Sequence, residues 1–151
     1  MSTHAEPHPN PQSDGLVQVV VHSVGILHED ALALLTAGSG GLVFNIATDE
    51  ARDRLHDPAM RELTGLDPAV REHVLSTPGI MPKVEQIAAS ARGVLTAWAD
   101  HRRWIVHVTV ACKEGRHHSV AVAEAAAAYL RGDGIGADVQ HHHISRPMGR
   151  S

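Results

Sequence analysis

The strongest constraint on the fold is the alternation of short β-branched apolar runs with longer segments of helical periodicity. Four runs predict buried strands, at residues 16–23, 42–46, 104–111 and 137–144. Helical segments lie between them, at residues 31–35, 59–63, 68–75, 81–100 and 119–130. Because parallel strands must be joined by crossovers, which are usually helices, this order predicts an α/β fold. We expect a single layered domain with a small, mostly parallel sheet of about four strands flanked by helices.

The composition indicates one globular domain with short polar tails. The chain has 151 residues, of which 43% are apolar and 20% are charged, as is usual for a soluble domain. We expect residues 1–15 to form a disordered tail, 16–146 the folded domain and 147–151 a second tail. No apolar run approaches the roughly 20 residues that cross a bilayer, and the first residues lack the pattern of a signal peptide. With one cysteine, a cytoplasmic protein that does not contact a membrane is expected.

The charge balance disfavours a general nucleic-acid binder. The formal net charge is −4 with the histidines neutral, whereas proteins that bind nucleic acid need a basic face to neutralise phosphates. The chain also has 13 histidines. Because an unperturbed histidine titrates near pH 6.5, the surface charge should depend strongly on pH.

The segment that joins the third predicted strand to the last helix is the candidate functional site. Its residues are Cys112, Lys113, Glu114, Gly115, Arg116, His117, His118 and Ser119. In open parallel sheets ligands collect at the carboxyl ends of strands. The first turn of a helix adds unpaired N–H groups and the positive end of its dipole, which together suit phosphate. Gly115 lets the backbone approach a ligand, the basic residues add charge, and Ser119 adds a hydroxyl. The alternative is that Gly115 only makes a turn and the basic side chains are solvated.

Cys112 has two interpretations. It is a small buried residue at a strand end, or a thiolate nucleophile activated by the helix terminus, as in cysteine phosphatases. The sixth residue after it is His118, where such phosphatases have an arginine, and candidate general acids are confined to Asp49, Asp53 and Asp57. No catalytic residue is therefore assigned, and Cys112 remains the alternative nucleophile.

Histidines in the last predicted strand raise the question of a metal. His141 and His143 would share one face of that strand, and His107 could join them from another. The sequence does not fix which strands pair, so it gives no support for bringing the three rings together, and we expect no metal site. No cofactor is expected either.

Several segments resemble, in order, the C-terminal domain of the RapZ family. That family has a loop reading Cys-Thr-Gly-Gly-x-His-Arg-Ser followed by Val-x-x-Ala-Glu. Residues 112–119 here read Cys-Lys-Glu-Gly-Arg-His-His-Ser, followed by Val120, Ala123 and Glu124. The family's first strand ends in Ser-Phe-Gly, and residues 23–25 read Ser-Val-Gly. Residues 63–67 reproduce the family's Leu-Thr-Gly-Leu-Asp segment.

The resemblance implies an α/β domain that binds a phosphorylated amino sugar, glucosamine-6-phosphate. In full-length members it also implies binding of small RNA. Ser23 and His28 would reach the ligand from the first strand end, and Arg52 or Arg54 from the loop after the second strand. Full-length members carry an N-terminal P-loop domain; this chain has no Gly-x-x-x-x-Gly-Lys-[Ser/Thr] and resembles a stand-alone C-terminal domain.

Together these patterns predict a binding or sensor domain for a phosphorylated small metabolite rather than an enzyme. The alternatives are an RNA-binding or adaptor module, a nucleotide-binding protein and the cysteine-dependent phosphatase. Homo-oligomer formation is left open by the sequence.

Overall fold

A four-stranded, all-parallel sheet forms the centre of the domain. The structure is a computed structural model that describes residues 16–37, 41–47, 58–97 and 105–146. The strands are β1 (Val19–Gly25), β2 (Leu42–Asn45), β3 (Val106–Cys112) and β4 (Ala137–His141), in the spatial order β2-β3-β1-β4. The helices are α1 (Ala31–Ala37), α2 (Pro58–Glu62), α3 (Pro68–Ser76), α4 (Ile80–Ala97) and α5 (His118–Gly132). The predicted α/β class is confirmed; the predicted tails lie outside the described residues.

One face of the sheet carries the hydrophobic core. Side chains alternate between the two faces of a strand, and Val19 and Val21 lie on the same face as their β3 partners, Val106 and Val108. This face packs against α4 and α5, which also pack against each other. The small residues of α5, which is rich in alanine, allow it to lie close to the two central strands.

The opposite face is more polar within the described residues. His22 of β1 and His107 and Thr109 of β3 lie there, and α1 contributes Leu34 and Leu35. Val43 of the edge strand β2 is 50% exposed on this side. Parallel sheets are ordinarily covered on both faces, and their strands are then continuously apolar. These histidines therefore occupy positions where such strands usually carry aliphatic side chains.

The central strands extend further toward their carboxyl ends than the sequence predicts. β1 continues to Gly25, which pairs with Cys112 of β3, and N–H groups of Ile26 and Leu27 then donate to carbonyls of Cys112 and Lys113 at 2.8 and 3.1 Å. β4 ends at His141 instead of continuing to residue 144. Cys112 is therefore the last residue of a strand, and the loop proper is residues 113–117.

No helix among the described residues is long and apolar enough to span a membrane.

Candidate functional site

Two glycines bring the end of β1 against the loop that follows β3. Gly115 has φ +77°, a left-handed conformation that glycine adopts readily. A Cβ on Gly115 would lie 2.6 Å from the backbone nitrogen of Gly25, and a Cβ on Gly25 would lie 2.7 Å from the nitrogen of Gly115. The two backbones therefore touch with no room for a side chain. This contact fixes the 113–117 loop over the carboxyl ends of the two central strands.

Cys112 and Ser119 lie beneath this loop. The Cys112 thiol is 1% exposed and donates to Ser119 Oγ at 3.0 Å, while the Gly115 N–H donates to Cys112 Sγ at 3.2 Å. Ser119 Oγ in turn donates to the carbonyl of Val24 at 3.4 Å. These bonds connect β1, β3 and α5. The thiol that they involve lies away from solvent. This burial fits the interpretation of Cys112 as a small buried residue at a strand end.

His28 and His143 close the site on the β1 side. The Gly25 N–H donates to His143 Nδ1 at 2.7 Å, so the ring proton of His143 is on Nε2, which donates to Asp30 Oδ1 at 2.8 Å. His28 Nε2 donates to the carbonyl of Glu114 at 2.8 Å, and its ring lies 4.3 Å from that of His143. Arg146 pairs with both oxygens of the Asp30 carboxylate, and this hydrogen bonding lowers the pKa of Asp30 to about 2.

Arg116 holds chain segments together. Its NH1 donates to the carbonyls of Ile144 and Arg146 at 3.3 and 3.1 Å, and its NH2 donates to those of Glu62 and Leu63 at 3.0 and 3.4 Å. The guanidinium therefore connects the 112–119 loop to the end of α2 and to the segment after β4. In this geometry its NH1 and NH2 groups are directed at backbone oxygens, not at the space above the loop.

His117 is also tied to α2. It is 4% exposed, and its Nε2 donates to the carbonyl of Arg61 at 3.0 Å. Burial lowers the pKa of His117, so the ring is neutral at neutral pH and adds no positive charge to the loop. The loop is therefore less cationic than its sequence indicates, although Arg116 keeps its charge.

The other predicted site residues differ in how far they are exposed to solvent. His118 is 2% exposed in the first turn of α5, whereas Lys113 is exposed to solvent at the loop. The Glu114 side chain is largely buried, at 13% exposed, with its carboxylate 4.0 Å from His28 Nε2. Arg52 and Arg54, and the candidate acids Asp49, Asp53 and Asp57, lie outside the described residues.

Ser23 belongs to a hydrogen-bonded chain beside the loop. Its hydroxyl lies 2.6 Å from His141 Nδ1, and His141 Nε2 lies 2.8 Å from Glu124 Oε2 on α5. Hydrogen bonding from His141 lowers the pKa of Glu124, so the carboxylate accepts from Nε2. Ser23 is fully buried. It thus links β1 to β4 and α5.

The structure does not place His141 and His143 on one face of a strand, as the sequence predicts. Because β4 ends at His141, the next residues leave the strand geometry and no longer alternate between its faces. His141 binds Ser23 and Glu124, His143 binds Gly25 and Asp30, and His107 binds His22 at 2.9 Å. Within residues 16–37, 41–47, 58–97 and 105–146, no group of three or more His, Cys, Asp or Glu side chains is arranged to hold a metal ion.

Sequence reasoning did not assign His143, Asp30 or Arg146 to the candidate site. Their hydrogen bonds join residues more than 100 positions apart in the chain. The sequence signal that could have indicated them was the run of three histidines at residues 141–143, in the last predicted strand.

The sequence profile of the RapZ C-terminal domain matches residues 41–145, more than half of the chain. The chain belongs to the RapZ C-terminal domain family. The matched range contains β2 to β4, the 112–119 loop and α5, so the resemblance noted in the sequence motifs is confirmed. β1, with Ser23 and Gly25, precedes that range.

Curated relatives match this chain over part of their length. A nucleotide-binding protein of Frankia alni is 39% identical over 87 residues, which is 58% of this chain and 30% of the relative. A nucleotide-binding protein of Rubrobacter xylanophilus is 42% identical over 84 residues, covering 56% of this chain and 28% of the relative. A third, from Rhodospirillum rubrum, is 32% identical over 89 residues, covering 59% and 28%. The chain therefore spans less than a third of the length of these relatives.

Proposed function

We propose that this domain binds a phosphorylated small metabolite, of the glucosamine-6-phosphate type, at the 112–119 loop. The observation that carries the proposal is the position of that loop at the carboxyl ends of the two central parallel strands, leading directly into the 15-residue helix α5. This edge of an open α/β sheet is where ligands collect. Membership of the RapZ C-terminal domain family supports the same ligand class.

The proposed phosphate contacts rely less on basic side chains than the sequence indicates. The first N–H groups of α5 have no partner within the helix, and they point along its axis with the positive end of the dipole. Lys113 is exposed to solvent in the loop that leads into α5. Because His117 and Arg116 are engaged by backbone carbonyls, phosphate recognition is assigned chiefly to backbone N–H groups and Lys113.

A thermal-shift and calorimetry series tests this assignment. Glucosamine-6-phosphate should raise the melting temperature, and at 100 times its dissociation constant it should stabilise the fold by about 2.7 kcal/mol. Glucosamine, which lacks the phosphate, should produce no shift. Inorganic phosphate and ATP complete the panel, since the relatives are named nucleotide-binding proteins and ATP also presents phosphate oxygens.

The variant Lys113→Ala should weaken phosphosugar binding about three- to tenfold, which corresponds to the loss of one partly solvated charge contact. Lys83→Ala is the matched control, because Lys83 lies on α4 and should leave the affinity unchanged. The proposal fails if none of the four compounds shifts the melting temperature, or if glucosamine is as effective as its phosphate.

A further inference from the structure

Three imidazoles form a hydrogen-bonded row on the polar face of the sheet. His22 Nδ1 lies 2.9 Å from His142 Nε2, and His22 Nε2 lies 2.9 Å from His107 Nδ1. The ring centroids of His22 and His142 are 5.1 Å apart and those of His22 and His107 are 5.2 Å apart, with ring planes inclined by 22° and 27°. They line a cavity of about 210 Å³ whose other walls are mostly aliphatic. We call His107, His22 and His142 the histidine row.

The row has a limited capacity for protons. Each of its two contacts joins two ring nitrogens, and such a contact needs one proton between them. The outer nitrogens, His142 Nδ1 and His107 Nε2, can carry one proton each. With both contacts made, the row therefore holds at most one proton more than its neutral form. A second excess proton forces two N–H groups to face each other across 2.9 Å, and one contact must break.

Electrostatics at His22 also favour the neutral row. Burial, followed by the neighbouring rings of His142 and His107, lowers the pKa of His22 to about 4. Burial lowers the pKa of His142 as well, with a further lowering by His141 and an opposing effect of the Asp30 carboxylate. The α1 and β2 side chains that face the row in the cavity, Leu34, Leu35, Leu42 and Val43, carry no charge.

His142 is the member that can leave the row. His22 and His107 belong to β1 and β3, which pair along their whole length. His142 instead follows the last residue of β4 and is held by its backbone N–H, which donates to the carbonyl of Ser23 at 3.0 Å. Breaking the His22–His142 contact therefore requires no strand to separate.

Displacing His142 would act on the candidate site through its two sequence neighbours. On one side, His141 binds Ser23 and Glu124. On the other side, His143 accepts the N–H of Gly25, the residue that packs against Gly115 in the loop. The three consecutive histidines thus connect the polar face of the sheet, α5 and the 112–119 loop.

We propose that residues 141–143 form an acid-operated latch, closed while the histidine row carries at most one excess proton and released when the row takes up a second. The released state binds more protons than the closed state, so the closed state is favoured at neutral pH and weakens as pH falls below about 6.5. Release frees the Gly25 N–H and loosens the 112–119 loop. The latch is a property of the unliganded chain and holds whether or not the loop binds a phosphosugar.

Amide hydrogen exchange followed by NMR, between pH 7 and pH 5 without ligand, tests the latch. After correction for the intrinsic pH dependence of exchange, opening at the Gly25 and His142 amides should increase about tenfold per pH unit for each proton taken up. Amides in the middle of α5 should keep their protection over the same range, because the latch opens without unfolding the core. Unchanged protection at Gly25 and His142, or equal loss of protection in α5, would overturn the proposal.

The variant His142→Ala separates the latch from other acid effects. It retains the backbone N–H at position 142 but removes the ring that contacts His22, so the Gly25 amide should exchange rapidly at pH 7 with little further change at pH 5. His73→Ala, at a half-buried position on α3, is the matched control and should behave like the parent chain. If His142→Ala retains the parent's protection and pH dependence, the row does not hold the segment and the latch does not exist.

Discussion

Replacing Gly25 with alanine should lower the free energy of unfolding by about 3 kcal/mol or more, at the upper end of the range for overpacked interiors. The added Cβ would lie 2.7 Å from Gly115 N and closer still to the carbonyl of Glu114. Those neighbours are backbone atoms, and the Gly115 N–H is itself bonded to Cys112 Sγ. The loop cannot move away without losing that bond, so the clash cannot be relieved by rotating a side chain. Urea denaturation of the variant measures the effect directly.

Gly93→Ala is the matched control. Gly93 lies within α4, and a Cβ there would meet no atom within 4 Å. Because glycine in a helix interior is less favourable than alanine, this variant should be more stable by about 0.5–1 kcal/mol. The two changes add the same methyl group and should have opposite signs. Equal effects would show that the Gly25–Gly115 contact does not constrain the loop.

A folded fraction of Gly25→Ala would also report on the site. Its loop would be displaced from the carboxyl ends of β1 and β3. The variant should therefore lose phosphosugar binding even under conditions in which it remains folded. Retention of binding in this variant would place the ligand elsewhere.

The fold class could be predicted from the sequence because its signals are local. The β-branched runs around Val19 and Val108 and the helical period of α4 each identify an element without reference to the others. Strand ends were predicted less well. β1 continues to Gly25 because Gly25 pairs with Cys112, and glycine at that position has no local preference for a strand. Conversely, β4 stops at His141 even though the following residues fit an extended pattern.

The position of the 112–119 segment between a strand and a helix was predicted correctly, but the contacts of its residues depend on distant partners. The prediction that the loop follows a strand and opens a helix rests on adjacent residues, and the structure confirms it. The engagement of His117 by Arg61 depends on α2, which is 56 residues away in sequence. Periodicity and motif spacing carry no information about such contacts. The histidine row is another example, since His22, His107 and His142 come from three separate elements.

Arg116 offers the clearest test of whether a basic residue in this loop recognises a ligand or supports the fold. Arg116→Lys should lower the free energy of unfolding by about 1–3 kcal/mol in the absence of ligand, given the usual contribution of hydrogen bonds to charged groups. The planar guanidinium reaches carbonyls on two sides, at Glu62 and Leu63 and at Ile144 and Arg146. A lysine ammonium is a compact charge on a flexible chain and cannot bridge both sets.

Arg71→Lys, on the exposed surface of α3, supplies the control and should change stability by no more than about 0.5 kcal/mol. Denaturation and phosphosugar titration of both variants separate the two roles of Arg116. A supporting role predicts lower stability without ligand, with the affinity of the remaining folded protein reduced no more than in Lys113→Ala. A direct ligand contact predicts unchanged stability without ligand and a larger loss of affinity than in Lys113→Ala. The second outcome would mean that the guanidinium leaves its carbonyl partners and binds the phosphate. Arg116 would then be a phosphate contact in addition to Lys113 and the α5 N–H groups.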